Sequence, residues 1–352
     1  MTPPQAMVGH PRAVTQVTDL DIGPKPDPAR PASGPPAEGM VWVPGGELTM
    51  GADDQYPEEA PAHRVAVDGL WMDRFPVTNA AFAEFVDATG YVTLAERTPD
   101  PADYPGARPE LLVPASAVFR KPRRGTPLRD IYDWWIHTPG AGWRHPRGPQ
   151  TSLKGLDSHP VVHVAWPDVE TYAGWAGKEL PTEAEWERAA RGGLDGAEFA
   201  WGDELEPGGR HMANVWQGEF PVDNRCLDGF EHTSPMRAFP PNAYGIFDMI
   251  GNVWEWTADW YQDHSEITHA CCTVSNPLGA AAGDRLSERP QCSERGPSGP
   301  APEAPGAGCK VMKGGSHLCA PNYCRRYRPA ARMPQAVDTS TSHLGFRCVV
   351  RV

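Results

Sequence analysis

Apolar and polar residues alternate early in the chain, and this pattern predicts β-strands. Val41 and Val43 alternate in a short strand, and Pro44-Gly45-Gly46 is expected to turn the chain back after it. A second strand is predicted over residues 63–73, HRVAVDGLWMD. An apolar run over residues 159–166, HPVVHVAW, predicts a further strand.

Another segment has the spacing of an amphipathic helix. Phe82, Phe85 and Val86 fall on one helical face. Thr78 is the expected N-cap, and Gly90 follows the end of the pattern. We therefore expect a helix that packs one face on the core.

Two more helices are predicted further along. One is expected to begin with Asp168 as its cap and to run through Trp175. In the other, Thr182 and Glu185 have the spacing of a capping box, and Gly192-Gly193 ends the helix. Short helices thus flank a β-rich remainder.

Glycine and proline account for 36 and 40 of the 352 residues, which predicts long loops and little regular structure. Residues 1–38 contain nine prolines, and we expect a disordered proline-rich extension there. Residues from about 270 to 309 are rich in Pro, Gly and Cys and predict a surface insertion with partial disorder. The predicted fold is α+β, a single large loop-rich domain over residues 39–352.

The chain has 32 Lys and Arg against 45 Asp and Glu, a net charge of −13. Nucleic acid is not an expected partner, because phosphate binding needs clustered cationic side chains. No apolar run is long enough for a membrane span, and the N-terminus lacks the pattern of a secretory signal. We expect a cytoplasmic protein whose eight cysteines are reduced by default.

The segment with most candidate chemistry holds Cys319 and Cys324, five residues apart. Four arginines follow them closely, and guanidinium groups lower the pKa of neighbouring thiols. These arginines are Arg325, Arg326, Arg328 and Arg332. Such a pair suits redox chemistry or a soft metal ion, and two-coordinate sulfur favours Cu(I) over zinc. A structural disulfide or two unrelated buried thiols are the alternatives.

Two other groups of residues could have a function or could simply pack in the core. His159 and His163 are four apart, so in a strand both rings would face one side and could bind a metal ion. The apolar residues around them favour core histidines instead. Trp134, Trp135 and Trp143 are likewise expected to pack in the core.

Five motifs resemble those of the formylglycine-generating enzyme family, the sulfatase-modifying factors, in its bacterial type. They occur in order over residues 40–352 and are MVWVPGGELTMG, HPVVHVAW, LPTEAEWERAARGG, NAYGIFDMIGNVWEWTADW and GGSHLCAPNYCRRYRPAAR. The GGSxxC segment with its second cysteine is the most specific of them. The resemblance implies the loop-rich fold of that family, which is C-type-lectin-like.

The same resemblance implies a copper-dependent, O2-using oxidase. Its substrate would be the cysteine of a Cys-x-Pro-x-Arg segment in an unfolded sulfatase polypeptide, which it converts to Cα-formylglycine. Cu(I) would supply one-electron chemistry with O2 that no side chain supplies. The implied copper ligands are Cys319 and Cys324. The other implied catalytic residues are Ser316, Tyr323 and Trp254. The implied substrate-binding residues are Arg332, Ser340 and His343.

Packing is the alternative for Tyr323 and Trp254, and a turn role is the alternative for Ser316. The resemblance also implies two Ca2+ sites. The first would be formed by Asn214, Val215, Asp228 and Phe230. The second would be formed by Asp248, Gly251, Val253 and Glu255. Both sets combine side-chain oxygens with backbone carbonyls, as Ca2+ prefers, and residues 251, 253 and 255 would alternate in an extended segment.

Some positions depart from the family pattern. Ala320 and His343 replace a usual His and a usual Asn. Ala173, Ala190 and Pro329 stand at positions where secreted members carry disulfide cysteines, which leaves Cys348 without a partner. Two other functions stay open: a non-haem iron thiol-oxygenase on the same fold, and a non-catalytic C-type-lectin-like binding module.

Overall fold

A computed structural model describes residues 30–264, 273–277 and 308–352. The predicted extension over residues 1–38 and the insertion over residues 270–309 lie largely outside the described residues. The helices are α1 (Asn79–Thr89), α2 (Trp166–Trp175) and α3 (Glu183–Arg191). The strands are β1 (Met40–Val43), β2 (Gly46–Met50), β3 (His63–Val67), β4 (Leu70–Asp73), β5 (Ala115–Phe119), β6 (Trp135–Pro139), β7 (Trp254–Trp260), β8 (Val274–Ser275), β9 (Cys309–Lys313), β10 (Arg332–Ala336), β11 (Leu344–Gly345) and β12 (Val349–Arg351).

The described strands form four small sheets joined by long loops, and two of these sheets are mixed while two are antiparallel. The largest has the order β10-β9-β7-β11, and the others are β1-β4-β12, β2-β3-β8 and the hairpin β5-β6. Strand β11 runs parallel to β7, whereas β9 is antiparallel to both of its neighbours. This arrangement confirms the predicted α+β, loop-rich fold. None of the helices in the described ranges is both long and apolar enough to cross a membrane.

Local capping explains why two of the helices form where they do. The hydroxyl of Thr78 accepts a hydrogen bond from Ala81 N at 3.3 Å, and Gly90 ends α1 with a φ of 68°. Thr182 and Glu185 form the predicted capping box of α3, where each side chain accepts from the backbone amide of the other. Both predictions are confirmed.

The helix α2 differs from its prediction at the N-terminus. It begins two residues before Asp168, which is the third helical residue and not the cap. The Asp168 carboxylate accepts from Ala165 N at 2.8 Å and so satisfies one of the free amides at the helix start.

Three strand predictions are wrong in detail. Strand β1 does not pair with β2 after Pro44-Gly45-Gly46, because β1 pairs with β4 and β2 pairs with β3. Residues 63–73 form two strands in different sheets, divided at Asp68 and Gly69. The run HPVVHVAW forms no strand: His163 has a φ of 63°, which an extended chain does not allow.

Most buried apolar side chains belong to one core between the helices and the sheets, and this core includes Cys319 and Cys324. Trp143 is buried in it, as predicted. A smaller aromatic cluster lies beside it and includes Trp134 and Trp216. The chain leaves β9, forms the loop of residues 314–331 next to both clusters, and returns as β10, so the β9–β10 pairing closes the base of this loop.

Candidate functional site

The loop of residues 314–331 carries the two cysteines, and both of its ends are bound to α3. Lys313, the last residue of β9, donates to Glu187 at 2.9 Å. Arg332, the first residue of β10, makes two hydrogen bonds of 2.8 Å to Glu183. All four side chains are buried. Breaking a buried pair by removing one partner costs about 3–5 kcal/mol, so these pairs hold the base of the loop firmly.

Close backbone contacts inside the loop bring Cys319 and Cys324 together. Gly315 has a φ of 70°, and a Cβ added there would come within 2.8 Å of the carbonyl oxygen of Arg326. The amide of Cys324 donates to the carbonyl of Ala320 at 2.9 Å and closes a turn. As a result the two Sγ atoms are 3.3 Å apart. Both residues are free cysteines and are buried.

One guanidinium group supplies the positive charge at the sulfurs. Arg326 Nη1 lies 3.8 Å from Cys324 Sγ, and the same guanidinium is bound by Glu58 and stacked on the ring of Tyr56. A hydrogen bond with Cys319 and the charge of Arg326 lower the pKa of Cys324 to about 7. Burial raises the pKa of Cys319 well above its usual value. The pair therefore carries its negative charge on Cys324.

The sequence predicted four arginines as the source of this charge, but the structure assigns it to Arg326. The other three are each paired with a carboxylate of another part of the chain: Arg325, Arg328 and Arg332. Proximity in sequence does not determine which guanidinium meets the thiolate, because the partner carboxylates come from distant segments.

Aromatic rings lie on one side of the cysteine loop. Tyr323 stacks on Phe220 with ring centroids 4.3 Å apart, and Trp134 meets Tyr323 edge-on at 5.9 Å. The amide of Trp216 donates to the carbonyl of Cys319 at 3.0 Å. These rings cover that side of the loop with apolar surface and limit the access of water there.

The other two predicted catalytic residues differ in position. Ser316 belongs to the sulfur site, since its amide donates to Cys319 Sγ at 3.4 Å. Its hydroxyl accepts from Leu318 N at 3.2 Å, which is the turn contact expected of a serine. Trp254 is buried in the main core at the start of β7, and its amide donates to the carbonyl of His343 at 2.9 Å.

The residues at the pair fit a soft metal ion. With metal–sulfur bonds of about 2.3 Å, two sulfurs on one ion can lie up to roughly 4.6 Å apart. The Sγ atoms of Cys319 and Cys324 are within that limit at 3.3 Å. Among the described residues, no three or more His, Cys, Asp and Glu side chains are grouped to hold a metal ion. A two-sulfur site favours Cu(I) over zinc, which prefers four ligands.

Arg332, one of the residues expected to contact substrate, is engaged inside the protein. Besides its two bonds to Glu183, its guanidinium donates to the carbonyl of Gln262 at 2.8 Å and stacks on the ring of Tyr261 at 4.6 Å. Burial and these contacts leave 1% of Arg332 exposed. Its observed role is to fix the base of the cysteine loop.

Ser340 and His343 lie in one segment beside the β5–β6 hairpin. Ser340 Oγ is 2.7 Å from Ser116 Oγ. His343 Nδ1 is 2.6 Å from the hydroxyl of Thr341, and its ring lies 4.7 Å from that of Trp135. Burial lowers the pKa of His343 well below its usual value, so the ring is neutral at pH 7. Both expected substrate contacts thus belong to this one segment beside the hairpin.

Two ligand oxygens of the first predicted calcium set, from Val215 and Asp228, meet at the side chain of Gln217. Asn214 Oδ1 is buried and has no hydrogen-bond partner. The side-chain amide nitrogen of Gln217 donates to the carbonyl of Val215 and, at 2.7 Å, to the carboxylate of Asp228. The amide of Phe230 donates to the other Asp228 oxygen at 3.0 Å. A donor with positive partial charge thus lies between two of the predicted ligand oxygens, as a cation would.

In the second predicted calcium set, Asp248 is the residue best suited to bind a cation. Both carboxylate oxygens of Asp248 are buried without a hydrogen-bond partner, and burial raises the pKa of Asp248 to about 7. The carboxylate of Glu255, in contrast, accepts two hydrogen bonds of 2.7 Å from Arg347. The predicted extended alternation of Gly251, Val253 and Glu255 is wrong, because Gly251 has a φ of 78° and β7 begins after Val253.

The two histidines considered as a metal site have separate partners. His163 is fully buried, and its ring lies 2.7 Å from Ser116 Oγ and 2.8 Å from the carbonyl of Pro146. His159 bonds instead to the hydroxyl of Thr233 at 3.0 Å. The interpretation as core histidines is confirmed for His163, whereas His159 is only half-buried.

Sequence reasoning missed several residues of this site. Tyr56 and Glu58 hold Arg326, and the hydroxyl of Tyr56 also accepts from Arg325 N at 2.9 Å. No local pattern marks this contact, since about 270 residues of chain separate its two sides. Phe220 lies between the predicted calcium ligands Val215 and Asp228 in the chain, and this position was the available sequence signal.

The cysteines outside the pair differ from one another. Cys226 and Cys348 are free cysteines. For Cys348 this agrees with the absence of its usual partner from the sequence. Cys309 is disulfide-bonded, so the prediction of reduced thiols is wrong at this position. Cys271-Cys272 and Cys292 lie outside the described residues. The cytoplasmic location stays a prediction, and the Cys309 disulfide removes part of its support.

Comparison with known proteins gives consistent matches over most of the chain. Residues 25–352 match the family model of the sulfatase-modifying factor enzyme 1-like domain. A formylglycine-generating enzyme of Mycobacterium tuberculosis is 50% identical over 313 residues, which cover 88% of this chain and 97% of the relative. An inactive C-alpha-formylglycine-generating enzyme 2 of Mus musculus is 36% identical over 334 residues, which cover 94% and 88%.

A solved structure also shares the fold. The structure of PvdO from Pseudomonas aeruginosa matches with a TM-score of 0.57 at 24% sequence identity, and the match covers 89% of this chain and 94% of that one. At this identity the similarity concerns the fold alone.

Proposed function

Since the chain belongs to the sulfatase-modifying factor enzyme 1-like family, we propose that it is an enzyme that converts a cysteine of a sulfatase polypeptide to Cα-formylglycine. We further propose that the reaction uses Cu(I) and O2, and that the substrate cysteine lies in a Cys-x-Pro-x-Arg segment. The relatives named for this activity support the first statement, and the chemistry of the site supports the second.

The observation that carries the proposal is the distance of 3.3 Å between Cys319 Sγ and Cys324 Sγ. Family membership alone does not establish turnover, because one relative is described as inactive. Two buried sulfurs close enough to share one ion, one of them with a lowered pKa, are suitable ligands for a soft metal ion. The pair therefore supports the active function over a binding role alone.

Cys319 and Cys324 would hold the copper, and bound Cu(I) would supply the one-electron chemistry that O2 needs to react with a thiol. Arg326 stabilises the thiolate at Cys324 through its charge. Ser316 donates its amide to Cys319 Sγ and fixes the orientation of that sulfur. Glu58 in turn orients Arg326. These residues prepare the two ligands before any substrate binds.

Cys324 is slightly the more exposed of the two buried cysteines. Cys324 keeps 5% of its surface exposed against 2% for Cys319. We propose that the substrate thiol approaches there, past the half-buried ring of Tyr323. The apolar rings of Phe220, Trp134 and Trp216 keep bulk water away while the substrate is oxidised.

The conversion itself balances with water as the second reactant. Removal of two hydrogens from the substrate CH2–SH gives a thioaldehyde, and O2 accepts the two electrons and two protons and leaves as hydrogen peroxide. Water then replaces the sulfur, which gives the aldehyde and hydrogen sulfide. The described residues contribute by binding, orienting and shielding the reacting thiol.

We also propose that Ca2+ binds at the two oxygen-rich sets. The support is the unpartnered Asp248 carboxylate and the unpartnered Asn214 Oδ1, because buried polar atoms without partners are costly and a hard cation would satisfy them. The ions would then stabilise loops that have little regular secondary structure.

Purified protein and a Cys-x-Pro-x-Arg peptide under O2 test the function. We expect the peptide to lose its thiol and to react with an aldehyde-specific probe when copper is present. Cys319→Ser and Cys324→Ser should abolish this reaction. Cys348→Ser, which removes another buried free thiol, should leave it unchanged. Aldehyde formation by the protein with both Cys319→Ser and Cys324→Ser would contradict the proposal.

A further inference from the structure

A chain of hydrogen bonds leads from the protein interior to one of the proposed substrate contacts. His163 Nδ1 is 2.7 Å from Ser116 Oγ, which is 2.7 Å from Ser340 Oγ. At the inner end, His163 Nε2 is 2.8 Å from the carbonyl of Pro146. The exposed fractions are 0% for His163, 3% for Ser116 and 9% for Ser340. Ser340 is also buried, but it is the most exposed member of this chain.

The carbonyl of Pro146 determines where the hydrogens of this chain lie. A carbonyl oxygen only accepts hydrogen bonds, so His163 Nε2 must carry a hydrogen. Burial lowers the pKa of His163 to about 4, so the ring is neutral at pH 7 and Nδ1 has no hydrogen. Ser116 must then donate its hydrogen to Nδ1. Because a serine hydroxyl has one hydrogen, Ser116 can only accept from the hydroxyl of Ser340.

The direction at Ser340 does not depend on the charge of His163. In the charged ring, Nδ1 donates to Ser116, which then turns its hydrogen towards the carbonyl of Ser340 at 2.8 Å. Ser116 again accepts from the hydroxyl of Ser340. In both states the hydrogen of the Ser340 hydroxyl points inward, and the lone pairs of its oxygen remain available to a ligand.

Backbone contacts fix the geometry on both sides of Ser340. Ala117 N donates to the carbonyl of Ser340 at 3.2 Å, and His163 N donates to the carbonyl of Thr341 at 2.9 Å. His163 adopts a φ of 63°, which a non-glycine residue rarely adopts and which costs about 1–3 kcal/mol. Strain of this kind persists where the surrounding contacts require it, and here it places the ring against Ser116.

We propose that Ser116 and His163 are positioning residues that hold the hydroxyl of Ser340 as a hydrogen-bond acceptor for an N–H group of the bound peptide. This inference rests on the proposed function, since it takes the sulfatase peptide as the ligand. It goes beyond that function because it assigns roles to Ser116 and His163 and states that Ser340 accepts, and does not donate, the hydrogen bond to the peptide. The peptide must therefore bring a donor to this point.

Binding of an unreactive peptide, with Ser in place of the substrate Cys, tests the proposal without turnover. We expect Ser340→Ala and Ser116→Ala each to raise the dissociation constant of the peptide about tenfold, which corresponds to about 1.4 kcal/mol of lost binding free energy. The double variant should be no weaker than either single variant, because Ser116 acts through Ser340. A merely structural role of Ser116 would instead give additive losses.

Two controls separate this effect from loss of a buried hydroxyl in general. Thr138 faces Ser116 across the β5–β6 hairpin, is buried, and uses its hydroxyl on the carbonyl of Ile136. Thr138→Val should leave peptide affinity unchanged. Ser116→Thr keeps the hydroxyl and should restore most of the affinity that Ser116→Ala loses.

A peptide series identifies the donor. Backbone amides of the peptide are N-methylated one at a time, and in one further peptide the arginine is replaced by methionine. One of these changes should weaken binding to the wild-type protein about tenfold and should have no further effect on Ser340→Ala. The proposal is overturned by additive losses in the double variant, by an unchanged affinity of Ser340→Ala, or by absence of peptide binding.

Formylglycine formation by the wild-type protein is measured in parallel. Wild-type turnover without coupling between residues 116 and 340 refutes this inference alone. Coupled binding without any turnover supports the inference and refutes the proposed oxidation.

Discussion

The Cα of Gly315 lies so close to the carbonyl of Arg326 that an added Cβ would come within 2.8 Å of the oxygen. This contact brings the two sides of the cysteine loop together next to the sulfur pair. We expect Gly315→Ala to destabilise the protein by about 2–4 kcal/mol, since it adds a backbone clash to a left-handed φ of 70°. Urea unfolding gives this value.

Gly90 supplies the matched control for that prediction. It has a φ of 68°, but a Cβ there would meet nothing within 4 Å. Gly90→Ala should therefore cost only about 1 kcal/mol, which is the conformational part alone. Equal losses in the two variants would show that the approach of residues 315 and 326 does not matter.

Copper binding should depend on the pair and on no other described free thiol. Anaerobic titration with Cu(I) should give one tight site per chain, and Cys319→Ser or Cys324→Ser should lower the affinity by at least about tenfold, since each removes half of the sulfur ligands. Cys348→Ser should behave like the wild-type protein, because Cys348 is buried away from the pair next to Asp73. An unchanged affinity of Cys324→Ser would contradict the ligand assignment.

Removal of Ca2+ should destabilise the protein. The buried Asp248 carboxylate has no hydrogen-bond partner, and burial outweighs the charge of Arg347 and raises its pKa, so a bound cation would stabilise the charged carboxylate. A chelator should lower the thermal midpoint by several degrees, and Asp248→Asn should reduce this shift.

Asp168→Asn is a suitable comparison for the calcium experiment. The carboxylate of Asp168 is also buried, but it accepts hydrogen bonds from Ala165, Leu94 and Tyr91. Its loss should destabilise the protein equally with and without Ca2+. If the wild-type midpoint does not respond to the chelator, Asp248 is not part of a calcium site.

His163 predicts a loss of stability in mild acid. Burial lowers its pKa in the folded protein to about 4, below the value of about 6.5 in an unfolded chain. The unfolded state thus takes up the proton first, and the contribution of His163 is lost as the pH falls from about 6.5 towards 4. Between pH 7 and pH 5 the protonation of this one group should lower the free energy of unfolding by about 2 kcal/mol.

The pH effect is checked by urea unfolding of the wild-type protein and of His163→Gln at both pH values. The variant should lose about 2 kcal/mol less than the wild-type protein between pH 7 and pH 5. Identical pH dependence in the two proteins would mean that the folded state accepts the charged ring.

Local signals made part of the fold predictable. Helix caps at Thr78 and Thr182, and the terminal glycines of α1 and α3, depend on residues within one or two turns, and the structure confirms them. Strand pairing was not predictable in the same way. Strand β1 pairs with β4 across a long stretch of chain, and the apolar run at residues 159–166 bends because of the left-handed backbone at His163.

The candidate site likewise combines features that the local sequence predicts with features that depend on distant contacts. The spacing of Cys319 and Cys324 and the GGS segment marked the sulfur pair, and both lie in one short loop. Which arginine meets the thiolate could not be read from the sequence, because Arg325 and Arg328 pair with carboxylates from distant segments. The position of Arg332 in a buried pair with Glu183 depends in the same way on tertiary contacts.

We propose that the two sulfurs support oxidation of a substrate cysteine. Mass spectrometry of a Cys-x-Pro-x-Arg peptide that is co-expressed with this protein, with and without copper, tests it most directly. We expect a loss of about 18 Da from the peptide when copper is present, as CH2–SH becomes CHO. An unchanged peptide mass beside copper-loaded, folded protein would contradict the account.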